Sequence, residues 1–152
     1  MKKIVRITTV SASLRILLKG QLKYMNHYFE VVAISSKEGL SKTLEEQGIK
    51  GYAVEMTRKI TPFKDLISLF QLIRILLKEK PDIVHTHTPK AGLLGMLAAW
   101  IVRVPNRLHT VAGMPLLVAR GNKKRLLNFV EKLTYVCATK VYPNSFVMMD
   151  II

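Results

Sequence analysis

His85, Thr86, His87 and Thr88 alternate in the stretch KPDIVHTHTPKAGLLG, residues 80–95, ahead of Pro89, Lys90 and a glycine-studded apolar run. Two of the chain's four histidines fall within three positions there. A His-x-His pair can bind a metal, move a proton or pack as structure. In a strand, alternation puts Ile83, His85 and His87 on one face and Val84, Thr86 and Thr88 on the other. A metal needs a third and fourth ligand. The candidates, His109 and Asp82, stand at no supporting spacing, so no metal site is expected. Pro89, Lys90, Ala91 and Gly92 read as a helix start, whose free N–H groups, with the Lys90 ammonium, make an anion site. His87, nearer the strand end, is expected to face a cleft as a polar contact or base. His85, deeper in the strand, is as readily structural.

Other chemistries fail on the residues. The first strand leads into Ser11-Ala12-Ser13-Leu14, not a Gly-x-Gly-x-x-Gly turn, so dinucleotide binding has no support. There is no phosphate-binding loop and no serine nucleophile elbow, and Cys137 lacks an arranged base. Aromatic residues are 7% of the chain and scattered, so nucleic acid is not an expected partner.

The elements that must position the histidines follow from periodicity. Lys3–Val10, Phe29–Ile34, Tyr52–Met56, Ile83–Thr88, Arg107–Val111 and Val141–Asn144 read as strands. Between them lie a helix with Leu14, Leu17, Leu18, Leu22 and Met25 on one face, capped by Ser11-Ala12-Ser13, and a short helix over 41–47 ended by Gly48. A long helix spans about Phe63–Lys80, its polar residues Lys64, Ser68, Gln71, Arg74 and Lys78 forming a narrow stripe, so most of its circumference must be covered. Lys90–Val102 is a helix, and another runs from the basic loop Arg120–Arg125 to about Ala138. Ser145 opens a last one. Strictly alternating strands and helices without hairpin signals predict an α/β fold: a Rossmann-like, doubly wound parallel sheet. The expected strand order 3-2-1-4-5-6 puts the ligand-binding crevice beside strand four, where the histidines end.

At 152 residues and 49% apolar, the chain suits one folded domain. Its 24 lysines and arginines outnumber 10 acidic residues, a net charge of +14, and from Ile83 to Met149 Glu131 is the one carboxylate among nine basic residues. Such a surface favours polyanions. Arg15, Lys19 and Lys23, four apart on a helix, and Arg120, Lys123, Lys124 and Arg125, ahead of Leu126, Leu127, Val130 and Leu133, suit an anionic bilayer. The lone Cys137 fits a reducing compartment. Arg6 interrupts the apolar N-terminal stretch, so no secretory signal is read, and Ala91–Val102 is too short to span a bilayer. These features lead to the expectation of a cytoplasmic protein without a transmembrane anchor.

The stretch KPDIVHTHTPKAGLLGMLAAWIVRVPNRLHTVAGMPL, with Val141-Tyr142-Pro143-Asn144-Ser145 beyond it, resembles the core of family-4 glycosyltransferases of the GT-B fold. The nearest likeness is to bacterial enzymes of capsular and surface polysaccharide assembly. The resemblance covers all 152 residues. It implies that the chain is one half of a GT-B fold, an acceptor-side N-terminal domain truncated in its last helix. A nucleotide-sugar donor would sit in a missing C-terminal domain carrying a Glu-x7-Glu motif, with no cofactor in this domain. Glu30/Glu38 and Glu38/Glu46 match that spacing but lie around strand two. The resemblance implies transfer, with retention, of a sugar to a lipid-linked saccharide, peripheral on the inner face of the bacterial cell membrane; the fragment alone would be inactive. It makes His85, Thr86, His87, Thr88, Pro89 and Lys90 the cleft wall, with His87 the catalytic candidate, and Ala112-Gly113 a loop approaching the donor. Many relatives carry His where Ala112 stands, and the loop after strand one lacks a glycine pair common in the family. The alternative is a non-catalytic module docking to a membrane or partner, the apolar face of the Phe63–Lys80 helix marking the interface. A small nucleic-acid binder is a remote third.

Overall fold

The computed structural model describes residues 1–59, 61–111 and 120–143. Its elements run β1 (Lys3–Ile7), α1 (Ser11–Ile16), α2 (Gln21–Met25), β2 (Glu30–Ser35), α3 (Leu40–Gln47), β3 (Lys50–Ala53), α4 (Pro62–Glu79), β4 (Ile83–His87), α5 (Pro89–Val102), β5 (Asn106–Val111), α6 (Gly121–Cys137) and β6 (Lys140–Pro143). All six strands pair in parallel in the order β3-β2-β1-β4-β5-β6, so the strand order reverses between β1 and β4 as expected.

The strands are apolar on both faces because helices cover both. Ile4, Val31 and Ala33 on one face meet Leu14, Leu18 and Leu22 of the α1–α2 segment and Leu40 of α3. Val5, Ile7, Val32, Ile34 and Val84 on the other meet Leu72 and Leu76 of α4, Leu94 and Met96 of α5, and Cys137 of α6. At the amino-terminal strand edge, Glu79 is buried and takes Lys3 and Lys50 at 2.9 Å each, with the Tyr52 hydroxyl. Burial would raise this carboxyl, but the bonds from Tyr52, Lys50 and Lys3 together hold it down to about 2.

Several expectations are corrected. The helix expected from Leu14 to Met25 is broken at Gly20, whose φ of +76° is the left-handed conformation that glycine adopts without strain. Ser11 does not cap α1: Val10 holds that position, and the Ser11 hydroxyl instead donates to the Glu38 carbonyl. β1 stops at Ile7 because Thr8 turns its hydroxyl to Ser35. β3 begins two residues before Tyr52. Ser68, placed on the polar stripe of α4, is buried and back-bonds to the Lys64 carbonyl at 2.9 Å. The basic cluster is no loop: Lys123, Lys124 and Arg125 lie in the first turns of α6, after the extended Arg120. Asn144 and the helix expected from Ser145 fall outside the described residues.

Candidate functional site

The carboxyl ends of β1 and β4 are tied together by hydroxyls. Thr9 N–H donates to Thr88 Oγ1 at 3.2 Å, and the two hydroxyls lie 2.8 Å apart. Thr88 has φ +79° and ψ 149°, a conformation that costs a β-branched residue about 1–3 kcal/mol. It is held by that clasp and by the Gly92 N–H, which donates to its carbonyl at 2.8 Å.

The anion site expected at the start of α5 is already occupied by the protein. The Ala91 N–H donates to Thr9 Oγ1 at 3.2 Å. The Lys90 ammonium sits 2.8 Å from both oxygens of Asp65 in the first turn of α4, with both side chains largely covered. Nor does glycine thin the helix for a ligand. A Cβ on Gly92 would stand 2.4 Å from His109 Cε1, and one on Gly95 2.5 Å from Thr86 Cγ2. Both glycines let α5 lie close on β4 and β5.

The histidine pair also differs from expectation. His87 is the buried member, 4% exposed, while His85 is half-buried. On the same sheet face lies Arg6, 2% exposed. Its Nε and Nη2 point at His87 Nε2 from 3.2 and 3.0 Å, with Met25 Sδ and Gln21 Oε1 as further partners. Among the described residues no carboxylate pairs with this guanidinium, and burial pushes it down to about 10. Arginine only donates, so His87 Nε2 is an acceptor and the ring proton resides on Nδ1. Burial, then the charges of His85, Arg6 and His109, pushes His87 down to about 2. Such a ring is a neutral hydrogen-bond donor; its Nε2 is not open to act as a base.

His85 lies 4.3 Å from His87, centroid to centroid, and its Nε2 is 2.8 Å from Thr110 Oγ1. Burial, then Arg6 and His109, pushes it down to about 3. His109 bonds Thr86 Oγ1 through Nδ1 at 2.8 Å on the opposite face of the sheet, and burial pushes it down to about 4. Asp82 is at the other end of β4, accepting the Lys3 backbone N–H at 2.9 Å. Among the described residues no three histidine, cysteine or acidic side chains could share a metal ion.

What the fold does assemble is a cleft of about 770 Å³ above the Thr9–Thr88 clasp. Leu17 just after α1, Leu93 of α5 and Leu126, Leu127 and Val130 of α6 form an apolar wall. Arg58, Lys59 and Lys123 form a cationic rim, and the one carboxylate lining it, Asp65, is paired with Lys90. Of the expected site residues, Thr88, Pro89, Lys90 and Lys123 line this cleft; His85, Thr86 and His87 lie beneath, in the sheet. Arg120, Lys124 and Arg125 are exposed around the start of α6, and Arg15, Lys19 and Lys23 are exposed on the α1–α2 segment, across the sheet from α6. Ala112 and Gly113 lie outside the described residues. Sequence reasoning missed Arg6, Thr9, Arg58, Lys59 and Leu93. A cation inside an apolar strand, and hydroxyls just past a strand's carboxyl end, were the available signals. Among the described residues no helix is long and apolar enough to cross a membrane.

Residues 6–145 match the model of a family described as glycosyl transferase 4-like. The capsular polysaccharide biosynthesis glycosyltransferase CapM of Staphylococcus aureus is 38% identical over 144 residues, covering 95% of this chain and 37% of the relative. The UDP-Gal:alpha-D-GlcNAc-diphosphoundecaprenol alpha-1,3-galactosyltransferase of Escherichia coli is 33% identical over 118 residues, 76% of this chain and 30% of the relative. The chain thus spans only about a third of the length of these relatives. Among solved structures, a glycosyltransferase from Rickettsia africae superposes with a TM-score of 0.73 at 20% identity, over 98% of this chain and 38% of that one. That likeness establishes the fold.

Proposed function

Because this chain belongs to the glycosyl transferase 4-like family, we propose that it is the acceptor-binding domain of a retaining glycosyltransferase building a capsular or surface polysaccharide on a lipid carrier. The observation that carries this reading is the cleft at the switch point: hydroxyl floor, apolar wall, cationic rim. A lipid-linked saccharide has a hydroxyl-rich sugar, a diphosphate and a hydrocarbon tail, and each has a matching surface there. Arg58, Lys59 and Lys123 meet the diphosphate as charge-assisted donors. Leu17, Leu93, Leu127 and Val130 receive the first hydrocarbon units. His87, held by Arg6 beneath the cleft, ties β4 to β1 under the hydroxyl floor. The nucleotide-sugar donor, in this reading, belongs to a second domain facing the cleft, and the work is done at the inner face of the cell membrane. The names of the relatives support the acceptor class: the Escherichia coli enzyme is named for a diphosphoundecaprenol-linked sugar.

The test is calorimetric titration of the chain with a short-chain acceptor analogue, N-acetylglucosaminyl-diphosphate farnesol, beside UDP-N-acetylglucosamine. The analogue is expected to bind and the nucleotide sugar not. Arg58→Gln with Lys123→Gln is expected to weaken the analogue about tenfold or more, since charge-assisted hydrogen bonds are worth roughly 1.5–3 kcal/mol each. Binding of the nucleotide sugar alone would overturn the acceptor assignment.

A further inference from the structure

Beside the cleft lies a second groove, of about 510 Å³, that the acceptor reading does not use. It runs between the segment after β3 and the first turns of α4, and its walls are tied in place. The Lys37 N–H donates to Glu55 Oε1 at 2.9 Å, which fastens the chain just past β2 to that segment. The buried Ser68 hydroxyl lies between the carbonyls of Glu55 and Lys64, which fastens the segment to α4. A groove held in this way is formed before a ligand arrives, so little ordering is needed on binding.

Its lining differs in kind from that of the cleft. Thr57, Thr61 and Gln71 bring hydroxyls and an amide, each able to donate and to accept. Lys37 and Lys64 stand with the carboxylates of Glu55 and Asp65, so cations and anions are matched in number. The adjoining cleft sets Arg58, Lys59, Lys90 and Lys123 against Asp65 alone. Ala53 and Ile67 give the groove an apolar side. These are the surfaces a neutral sugar ring needs: its hydroxyls both donate and accept, and its C–H face takes the aliphatic side. A phosphate would call for an excess of cations, which is found in the cleft and not here.

The two spaces meet at Asp65, which lines both. A saccharide that extends past Asp65 from above the Thr9–Thr88 clasp therefore enters the groove directly. We propose that this groove is a second sugar subsite, seating a neutral sugar unit of an acceptor that carries at least two sugars. The number of sugars rests on the acceptor reading; the groove's choice of a neutral sugar does not.

Two measurements keep these apart. In calorimetry, chitobiosyl-diphosphate farnesol is expected to bind about tenfold tighter than N-acetylglucosaminyl-diphosphate farnesol, the gain from a few added hydrogen bonds. Glu55→Gln, which keeps an acceptor for the Lys37 N–H, combined with Gln71→Ala removes that advantage. Both positions are exposed, and urea midpoints equal to wild type verify folding. In methyl-resolved NMR, free N,N′-diacetylchitobiose at millimolar concentration moves the Ala53 and Ile67 signals, and the double variant abolishes the shifts. Equal affinity for the two farnesol analogues, or an advantage that survives the double variant, overturns the proposal. Ala53 and Ile67 signals that stay in place overturn it too, as do signals that move with glucose 1-phosphate and not with the disaccharide. If neither farnesol analogue binds while the free disaccharide still moves both signals, the sugar subsite is supported and the acceptor reading alone is overturned.

Discussion

Arg6 and His87 show how one buried pair changes the chemistry available to a site. A guanidinium with no carboxylate beside it stays buried because three of its nitrogens reach His87, Gln21 and Met25, and the cost to His87 is its use as a base. Removing the imidazole would leave part of the guanidinium without an acceptor, which costs about 1–3 kcal/mol, more for charged groups. His87→Ala is therefore expected to lower stability by at least about that much, read as a shift in urea midpoint at pH 7.5. A midpoint equal to wild type would contradict the burial and bonding described for this pair. The residue pattern made His87 look like the cleft-facing member. Alternation gives the face on which a side chain lies, not what the opposite helix places over it.

The elements were legible to the extent that periodicity determines them. The parallel order and the switch point beside β4 follow from alternating strands and helices, and the long α4 from Pro62 to Glu79 was visible in its apolar run. The break at Gly20 was not, because Leu14, Leu18 and Leu22 keep helical spacing across it and all reach the same core. The cationic rim was only half legible: Lys123 belongs to a visible basic cluster, but Arg58 and Lys59 join it through the loop before α4, and no local pattern brings them there. The glycines of α5 are read correctly only from its packing. Gly92→Ala forces a methyl into His109, and overpacking of this kind costs about 1–3 kcal/mol. Gly20→Ala meets no neighbouring atom, yet is expected to destabilise through its positive φ by about 1 kcal/mol. Thermal melts of the two variants test both. An undisturbed Gly92→Ala would show that α5 does not lie on β5 as described.

For the molecule as a whole, buried ionisable groups set its response to acid. His85, His87 and His109 are held at about 3, 2 and 4 against the usual 6.5, so the unfolded chain binds their protons first as pH falls. Each group adds a stability loss of up to about 1.4 kcal/mol per pH unit below 6.5. Glu79, held at about 2 against 4.5, contributes stability that is present above 4.5 and lost as pH falls from there towards 2. Urea midpoints are expected to change little from pH 7.5 to about 6.5 and to fall from there to pH 5; a flat profile below 6.5 would contradict the neutral burial of the histidines. The central claim concerns the cleft those histidines underlie, and methyl-resolved NMR tests it most directly. On titration with N-acetylglucosaminyl-diphosphate farnesol, the methyl signals of Leu17, Leu93, Leu126, Leu127 and Val130 are expected to move together, while those of Leu40 and Leu76 stay in place. Shifts confined to residues outside the cleft, or produced by UDP-N-acetylglucosamine and not by the acceptor analogue, would contradict it.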